Sequence, residues 1–144
     1  MNVRDLKNEL NSLNSKITRI LRDTGYAEYA DIESVEYDGS NPDEAMLWSE
    51  LCGIVGLLDN ASRGLCYLDR PIKREGKLRK NSRGRYECNG YELTSGSPVE
   101  VLVYDEFYER DEWLATRVEH NGADYYVVGK PSLNLSGVRA RIRG

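Results

Sequence analysis

The sequence predicts an α+β protein in which an N-terminal antiparallel helical hairpin is followed by a small antiparallel β-barrel. Two observations carry this prediction. Apolar residues recur with helical spacing through residues 1–69, whereas after Pro71 they alternate with polar residues, which is the period of a strand. The change of period predicts two domains, a helical hairpin over residues 1–69 and a barrel over residues 71–144.

The first helix is predicted by a narrow apolar stripe. The stripe consists of Val3, Leu6, Leu10, Leu13, Ile17 and Ile20. Apolar residues at two positions in seven are typical of a helix that pairs with another helix. We expect the helix to end near Asp23, because Gly25 can cap its last turn. The stripe permits two partners, the second helix of the hairpin or helix 1 of another copy in a homodimer.

The second helix is predicted to start at Ser40-Asn41-Pro42, where a polar residue can cap and proline fits the first turn. Its apolar residues continue from Leu47 to Leu68, unless Gly64 ends the helix earlier. The acidic linker, residues 24–41, is long for a hairpin connection, so we expect a turn of helix near Ala27–Ile32.

The barrel is predicted from short alternating runs and turn signals. The expected strands are Gly76–Lys80, Arg85–Cys88, Val99–Tyr104, Trp113–Glu119, Asp124–Val128 and Val138–Arg143. Asn81-Ser82-Arg83-Gly84 is a good hairpin turn, and Asn121-Gly122 is a strong hairpin signal. Five or six short strands with one long loop, a tight hairpin, a one-turn helix and a closing strand follow the order of an SH3-like barrel. The competing OB-fold needs a longer helix between its third and fourth strands, which this sequence lacks.

Several short motifs in this half support a family resemblance. They are Gly84-Arg85-Tyr86, Leu93-Thr94-Ser95-Gly96, Val99-Glu100-Val101, Trp113, Val118-Glu119-His120, Tyr125-Tyr126 and Val138-Arg139-Ala140-Arg141. Residues 76–144, which contain them, resemble a small uncharacterised domain family of Gram-positive bacteria and their mobile elements. The resemblance implies an SH3-like barrel and no enzymatic activity, because that family has no established catalytic residues.

The composition argues against catalytic and metal chemistry. His120 is the single histidine, which excludes a two-histidine metal site and most acid–base pairs. A Cys/His/Asn site around it is disfavoured because His120 enters a predicted turn. Three widely spaced cysteines suggest neither a disulfide framework nor a zinc site. We expect a non-enzymatic, cytoplasmic protein with no catalytic residue, no metal, no cofactor and no membrane partner.

Charge is segregated along the chain, although the net charge is only −4. Residues 1–22 contain five basic and two acidic residues, and residues 23–62 contain ten acidic residues and no basic residue. Residues 63–144 contain fifteen basic and twelve acidic residues. Such segregation is informative about contacts with partners.

The acidic, tyrosine-rich segment is the first candidate surface, and we predict that it binds another protein with a basic surface. Its candidate residues are Tyr26, Tyr29, Glu33, Glu36, Tyr37 and Asp38. Tyrosines supply contact area and carboxylates steer association. The predicted role is an adaptor or inhibitor from a mobile element, such as one acting against a nucleic-acid-binding defence protein of the host. The alternative is a solvated linker whose tyrosines pack on the helices.

The second candidate surface, called the arginine seam below, consists of Lys77, Arg79, Arg139, Arg141 and Arg143. We expect the first and last strands to be neighbours, which would bring these cations together as phosphate-binding groups for DNA or RNA. Nucleic-acid binding is therefore the alternative function, and helix-mediated oligomerisation is a third. The structural alternative is that these arginines meet the acidic segment or solvate an edge strand.

Overall fold

A computed structural model describes all 144 residues of the chain. The chain divides into two compact units, Met1–Asp69 and Arg70–Gly144. The first unit is helical and the second is built on an antiparallel sheet, so the predicted α+β class is confirmed. No helix combines the length and the apolar character needed to cross a bilayer.

The helical unit contains α1 (Val3–Asp23), α2 (Tyr26–Tyr29) and α3 (Pro42–Asp69). The Asn2 side chain accepts hydrogen bonds from the first-turn amides, and Asp5 accepts one in return, which completes a capping box. The predicted end of α1 and the short α2 are both present. An early end of α3 at Gly64 is wrong, because the helix continues for five residues beyond it and buries Leu65.

α1 and α3 run in opposite directions along each other, and their contact at one end is polar. Lys7 Nζ lies 2.6 Å from Asp69 Oδ1, and Asn11 Nδ2 donates to Asp69 Oδ2 at 3.1 Å. Hydrogen bonding to Lys7 and then to Asn11 lowers the pKa of Asp69. Asn14 Nδ2 lies 3.7 Å from Cys66 Sγ, one turn further along.

At the other end of the pair, Leu21 of α1, Ile32 of the linker and Val55 of α3 form a small buried core. Tyr26 of α2 packs against this core. A Cβ atom at Gly56 would lie only 2.9 Å from the hydroxyl oxygen of Tyr26, so glycine is needed there to admit the ring.

The rotation of α1 differs from the prediction. If the stripe pairs with the second helix, its residues should be covered, but only Ile17 packs against the core shared with α3, while Leu6, Leu10 and Leu13 remain 47%, 41% and 48% exposed. The residue after each of these leucines contacts α3 instead. A shift of one residue along the chain corresponds to about 100° around the helix axis. Lys7 and Asn11 contact Asp69, and Leu21 packs with Val55, so these residues mark the side of α1 that faces α3.

The second unit is a seven-stranded antiparallel sheet that curls into a half-barrel. Its strands are β1 (Ile72–Lys80), β2 (Tyr86–Cys88), β3 (Tyr91–Glu92), β4 (Pro98–Asp105), β5 (Arg110–His120), β6 (Tyr125–Val127) and β7 (Arg139–Arg143). Their order across the sheet is β3-β2-β1-β7-β4-β5-β6. The two-residue β3 was not predicted, because it is too short to show a period.

The two predicted turns are formed by the expected chemistry. Asn81 Oδ1 accepts hydrogen bonds from two turn amides, and Gly84 adopts a φ of 74°. Asn121 Oδ1 does the same in the β5–β6 turn, where Gly122 has a φ of 94°. Residues 131–137 contain turns and no helix, so the one-turn helix expected before the last strand is absent.

The core of the half-barrel lies on one face of the sheet. It consists of Leu78, Tyr86, Cys88, Leu93, Val99, Val101, Val118, Val127, Leu135, Ala140 and Ile142. Because side chains alternate along a strand, Val99 and Val101 point into this core while Glu100 lies on the opposite face. β7 pairs with both β1 and β4, so the idea that its arginines solvate an edge strand is wrong.

Burial in this core predicts a large stability loss on truncation. Leu78→Ala should lower the free energy of unfolding by about 2–5 kcal/mol, because Leu78 is fully buried. Urea denaturation followed by Trp113 fluorescence in a Trp48→Phe background measures the change. Ile72→Ala, in the same strand but 38% exposed, is the control and should cost less than about 1 kcal/mol. Equal costs would contradict the position of the core.

Candidate interaction surfaces

The arginine seam lies on the outer face of the sheet, where β1 and β7 are neighbours. Lys77 is paired with Arg139, and Glu75 is paired with Arg141. The expected proximity of the first and last strands is therefore present. The seam nevertheless contains acidic residues that sequence analysis did not place there.

Glu100 binds two of the seam arginines. Arg141 Nε donates a 2.8 Å hydrogen bond to Glu100 Oε1, and Arg143 Nε donates to Glu100 Oε2. The Glu100 side chain is only 4% exposed, and those of Arg141 and Arg143 are 22% and 16% exposed. Arg143 also donates to the carbonyl oxygen of Arg70 at 3.0 Å. These two arginines are internal partners of a buried carboxylate.

Trp113 covers the same network from β5. The guanidinium carbon of Arg141 lies 4.2 Å from the centroid of its ring, which is cation–π geometry. Strand register explains the arrangement, since Arg141 pairs with Glu100 and Trp113 pairs with Leu102 two residues further along β4. A phosphate group would have to displace Glu100 to reach Arg141.

The remaining seam cations are more accessible. Arg139 forms an exposed ion pair with Glu75 at 3.2 Å. Lys77 and Arg79 form no ion pair and no side-chain hydrogen bond, and they line an open groove of about 500 Å³. The other residues of this groove are Glu75, Gly76, Glu87, Asn89 and Gly90. Of the five seam cations that were predicted to bind phosphate, Lys77 and Arg79 therefore remain without an internal partner.

Other basic residues of β1 and the following turn also have acidic partners. Arg85 Nη1 lies 2.7 Å from Glu92 Oε1, and hydrogen bonding to Arg85 lowers the pKa of Glu92. Lys80 Nζ lies 2.9 Å from Asp124 Oδ2; this contact raises the pKa of Lys80 and lowers that of Asp124. These pairs connect the C-terminal end of β1 and the turn that follows it with β3 and with the turn before β6.

The acidic segment forms a different surface around Trp48. The ring of Tyr37 stacks on Trp48 with 5.1 Å between centroids, and Trp48 Nε1 donates to the carbonyl oxygen of Val35 at 3.2 Å. A shallow cavity of about 290 Å³ lies beside the stacked rings, and we call it the Trp48 groove. It is lined by Val35, Glu36, Tyr37, Glu44, Leu47, Trp48 and Leu51.

Hydrogen bonds order the acidic residues beside the Trp48 groove. The backbone amide of Asp38 donates to Glu44 Oε2 at 2.7 Å. Asp38 Oδ1 accepts from the hydroxyl and the amide of Ser40, and these bonds lower the pKa of Asp38. Asp38 is thereby held in its charged form next to the apolar lining.

The structure separates the six predicted residues of the acidic segment. Glu36 and Tyr37 line the Trp48 groove and Asp38 is adjacent to it, whereas Tyr29 and Glu33 are exposed elsewhere. Tyr26 is not a free binding residue, because its ring packs into the helical core. Sequence analysis missed the contribution of α3, namely Glu44, Leu47, Trp48 and Leu51. Their i, i+3, i+4 and i+7 spacing marks one face of a helix and was the available signal.

The residues considered as catalytic or metal-binding groups, His120, Cys52 and Cys88, form hydrogen bonds or are buried within the fold. His120 Nδ1 accepts a hydrogen bond from the Gly122 amide at 3.0 Å, and its ring contacts Tyr125. A hydrogen bond with Asp31 raises the pKa of Cys52, and burial raises the pKa of Cys88. No group of three or more histidine, cysteine or acidic side chains is arranged to hold a metal ion.

Comparison with known proteins gives a match for the second unit. A family model described as a domain of unknown function (DUF5348) matches residues 76–142, from within β1 to within β7. The resemblance to a small uncharacterised domain is confirmed to this extent. No curated protein and no solved structure matches the chain.

The Glu100 network predicts a specific stability effect. Glu100→Gln should lower the free energy of unfolding by about 2–3 kcal/mol, because it leaves Arg141 and Arg143 without their counter-charge. Glu75→Gln, which breaks only the exposed pair with Arg139, should cost less than about 1 kcal/mol. Urea denaturation measures both variants. Similar costs would show that Glu100 is not the structural anion of the sheet.

Proposed function

We propose that this protein is a non-enzymatic binding protein whose Trp48 groove takes a basic, partly apolar segment of another protein. One observation carries the proposal: an apolar groove with stacked Tyr37 and Trp48 has Glu36 and Glu44 in its lining. The groove belongs to a stretch, residues 23–62, that has ten acidic residues and no basic residue.

The chemistry of the groove defines the segment that would fit. Leu47, Leu51 and the Trp48 ring offer area for an apolar side chain, and aromatic anchors of this kind dominate binding energies at protein interfaces. Glu36 and Glu44 favour Lys or Arg next to that side chain and would accelerate association. The volume of about 290 Å³ suits one or two side chains and is at the lower limit of small-molecule pockets.

The proposal includes a biological role as an adaptor or inhibitor encoded by a mobile element. A nucleic-acid-binding host protein has the basic surface that the Trp48 groove would complement, and the barrel resembles a domain found on such elements. We further interpret the half-barrel as SH3-like, because its first and last strands pair, and the α1–α3 pair as a helical hairpin, because the two helices are antiparallel.

A second candidate function, nucleic-acid binding, is favoured by Lys77 and Arg79. Both cations lack an internal partner and line the same open groove on the outer face of β1. Arg139 lies on the neighbouring strand and could join them by leaving Glu75. Arg141 and Arg143 are not included, since Glu100 occupies them.

The primary proposal is tested with a fluorescently labelled synthetic amphipathic peptide of leucine and lysine. Glu36→Lys combined with Glu44→Lys should weaken its binding by about tenfold or more, because the variant repels the peptide lysines at the groove. Fluorescence polarisation at physiological salt gives the dissociation constants.

The control variant, Glu28→Lys with Glu50→Lys, makes the same change of net charge at exposed positions that do not line the groove. It should retain most of the affinity. Equal losses in the two variants would reduce the effect to net charge and refute a specific groove. Absence of binding by the unmodified protein would refute the proposal as well.

The nucleic-acid alternative predicts a salt-dependent affinity for single-stranded DNA or RNA. Replacing Lys77 and Arg79 by alanine should lower the slope of log affinity against log salt by roughly 1.4, because about 0.7 of a counterion is released per phosphate contact on a single strand. Electrophoretic mobility shift at several salt concentrations measures the slope. Arg141→Ala combined with Arg143→Ala is not a suitable control, because it disrupts the Glu100 network; Lys73→Ala is suitable. No shift of either nucleic acid at low salt would exclude this function.

A further inference from the structure

The two long helices leave apolar side chains uncovered in a regular pattern. On α1, Leu6, Leu10, Leu13 and Ile20 are all more than a third exposed, and each immediately precedes a residue that contacts α3 or the helical core. The residues that follow them are Lys7, Asn11, Asn14 and Leu21.

The same pattern is present on α3. Ile54 and Leu68 are 51% and 48% exposed, and they immediately precede Val55 and Asp69. Val55 belongs to the core shared with α1, and Asp69 binds Lys7. On both helices, therefore, these exposed apolar residues precede the contacting residues by one position. One position corresponds to about 100° around the helix, in the same rotational sense on α1 and α3.

Because the helices are antiparallel, equal rotations place the two apolar rows on the same side of the pair. A two-fold axis perpendicular to both helix axes exchanges α1 with α3 and preserves the sense of rotation. A row on one side of α1 therefore corresponds to a row on the same side of α3. The two rows thus lie on one side of the helix pair, and we call their exposed apolar residues the apolar helix face: Leu6, Leu10, Leu13, Ile20, Ile54 and Leu68.

The apolar helix face has the size of an interface. α1 has 21 residues and is about 30 Å long at ~1.5 Å per residue. With axes roughly 8–10 Å apart, two helices present a face of the order of 600 Å². A standard interface buries about 800 Å² on each partner, including a polar rim.

The contact between α1 and α3 does not use these leucines. Near the start of α1 the contact is formed by Lys7, Asn11 and Asn14, and the side-chain carbonyl oxygens of both asparagines are buried there without a hydrogen-bond partner. Such groups reduce the stability of the pair. The leucines beside them gain their stabilisation only when another surface covers them.

We propose that a second copy of this chain covers the apolar helix face, so that two α1–α3 pairs form a four-helix assembly. Charge determines the arrangement: α1 has five basic and three acidic residues, whereas α3 has five acidic residues and one basic residue, Arg63, which pairs with Asp59. α1 of one copy therefore lies beside α3 of the other, and both contacts are equivalent under a two-fold axis. A second copy is favoured over another protein because each copy supplies both the basic α1 and the acidic α3 that this pairing requires.

The assembly is tested separately from the proposed function of the Trp48 groove, whose Leu47 and Leu51 continue the α3 row. Light scattering after size exclusion should give twice the chain mass of 16.4 kDa for the unmodified protein at high concentration. Leu6→Gln combined with Leu13→Gln should give the monomer mass, because both side chains belong to the apolar helix face. Circular dichroism verifies that the variant keeps its helices.

The matched control replaces two exposed apolar residues of the other unit. Phe107 and Tyr108, in the turn between β4 and β5, are 85% and 61% exposed. Phe107→Gln combined with Tyr108→Gln should remain dimeric. A monomeric unmodified protein at every concentration, or a Leu6/Leu13 variant that stays dimeric, overturns the proposal. If the double variant loses helicity, each single substitution is measured instead and should raise the dimer dissociation constant about tenfold; unchanged constants overturn the proposal.

Salt distinguishes the arrangement of the helices. With α1 beside the partner's α3, increasing sodium chloride screens an attraction and should raise the dissociation constant. With α1 beside the partner's α1, the same salt would screen a repulsion and lower the constant. The second result would overturn the proposed pairing.

Discussion

The half-barrel depends on one carboxylate. Glu100 lies on an interior strand, on the face opposite the core, and is almost completely buried by Arg141, Arg143 and Trp113. Removing a carboxylate from water is costly, and only close, well-oriented cations offset that cost. The chain meets this requirement with alternate arginines of its last strand, which is consequently fixed between β1 and β4. The outer face of the sheet is therefore held by charge while the inner face is held by apolar packing.

The helical unit has the opposite distribution of polarity. Lys7, Asn11 and Asn14 lie between the helices near one end, while the leucines of the apolar helix face lie outside. The half-barrel pairs its buried carboxylate and buries a core of its own, although Lys77 and Arg79 lack partners and Phe107 and Tyr108 are exposed. The helical unit leaves two surfaces incomplete, the Trp48 groove and the apolar helix face. Both proposed interactions consequently belong to the helices, although the family match covers the barrel.

Local sequence signals predicted the elements well, because those signals act within a few residues. Asn81 and Asn121 form the turns expected of them, and the helical and strand periods change at the boundary between α3 and β1. Rotation and partner choice were harder to predict. The stripe of α1 is present, but in the fold Ile17 alone packs against the core shared with α3, whereas Leu6, Leu10 and Leu13 are exposed. Glu100 interrupts a run of valines on a central strand, and that position was the signal for a buried ion pair. The Trp48 groove lies within residues 35–51, but it depends on the linker packing against the first turns of α3, a contact that local sequence signals do not specify.

The hydrogen bonds at the edge of β1 have a practical consequence for handling the protein. The amide of Gly144 donates to the carbonyl oxygen of Pro71 at 3.1 Å, and Arg143 binds the carbonyl oxygen of Arg70. The second unit thus begins and ends at one point. An affinity tag or fluorescent protein fused after Gly144 would emerge beside Arg70 and Pro71, the first residues of the second unit. Because its two ends meet, the same unit is suited to circular permutation, with new termini in the exposed β4–β5 turn.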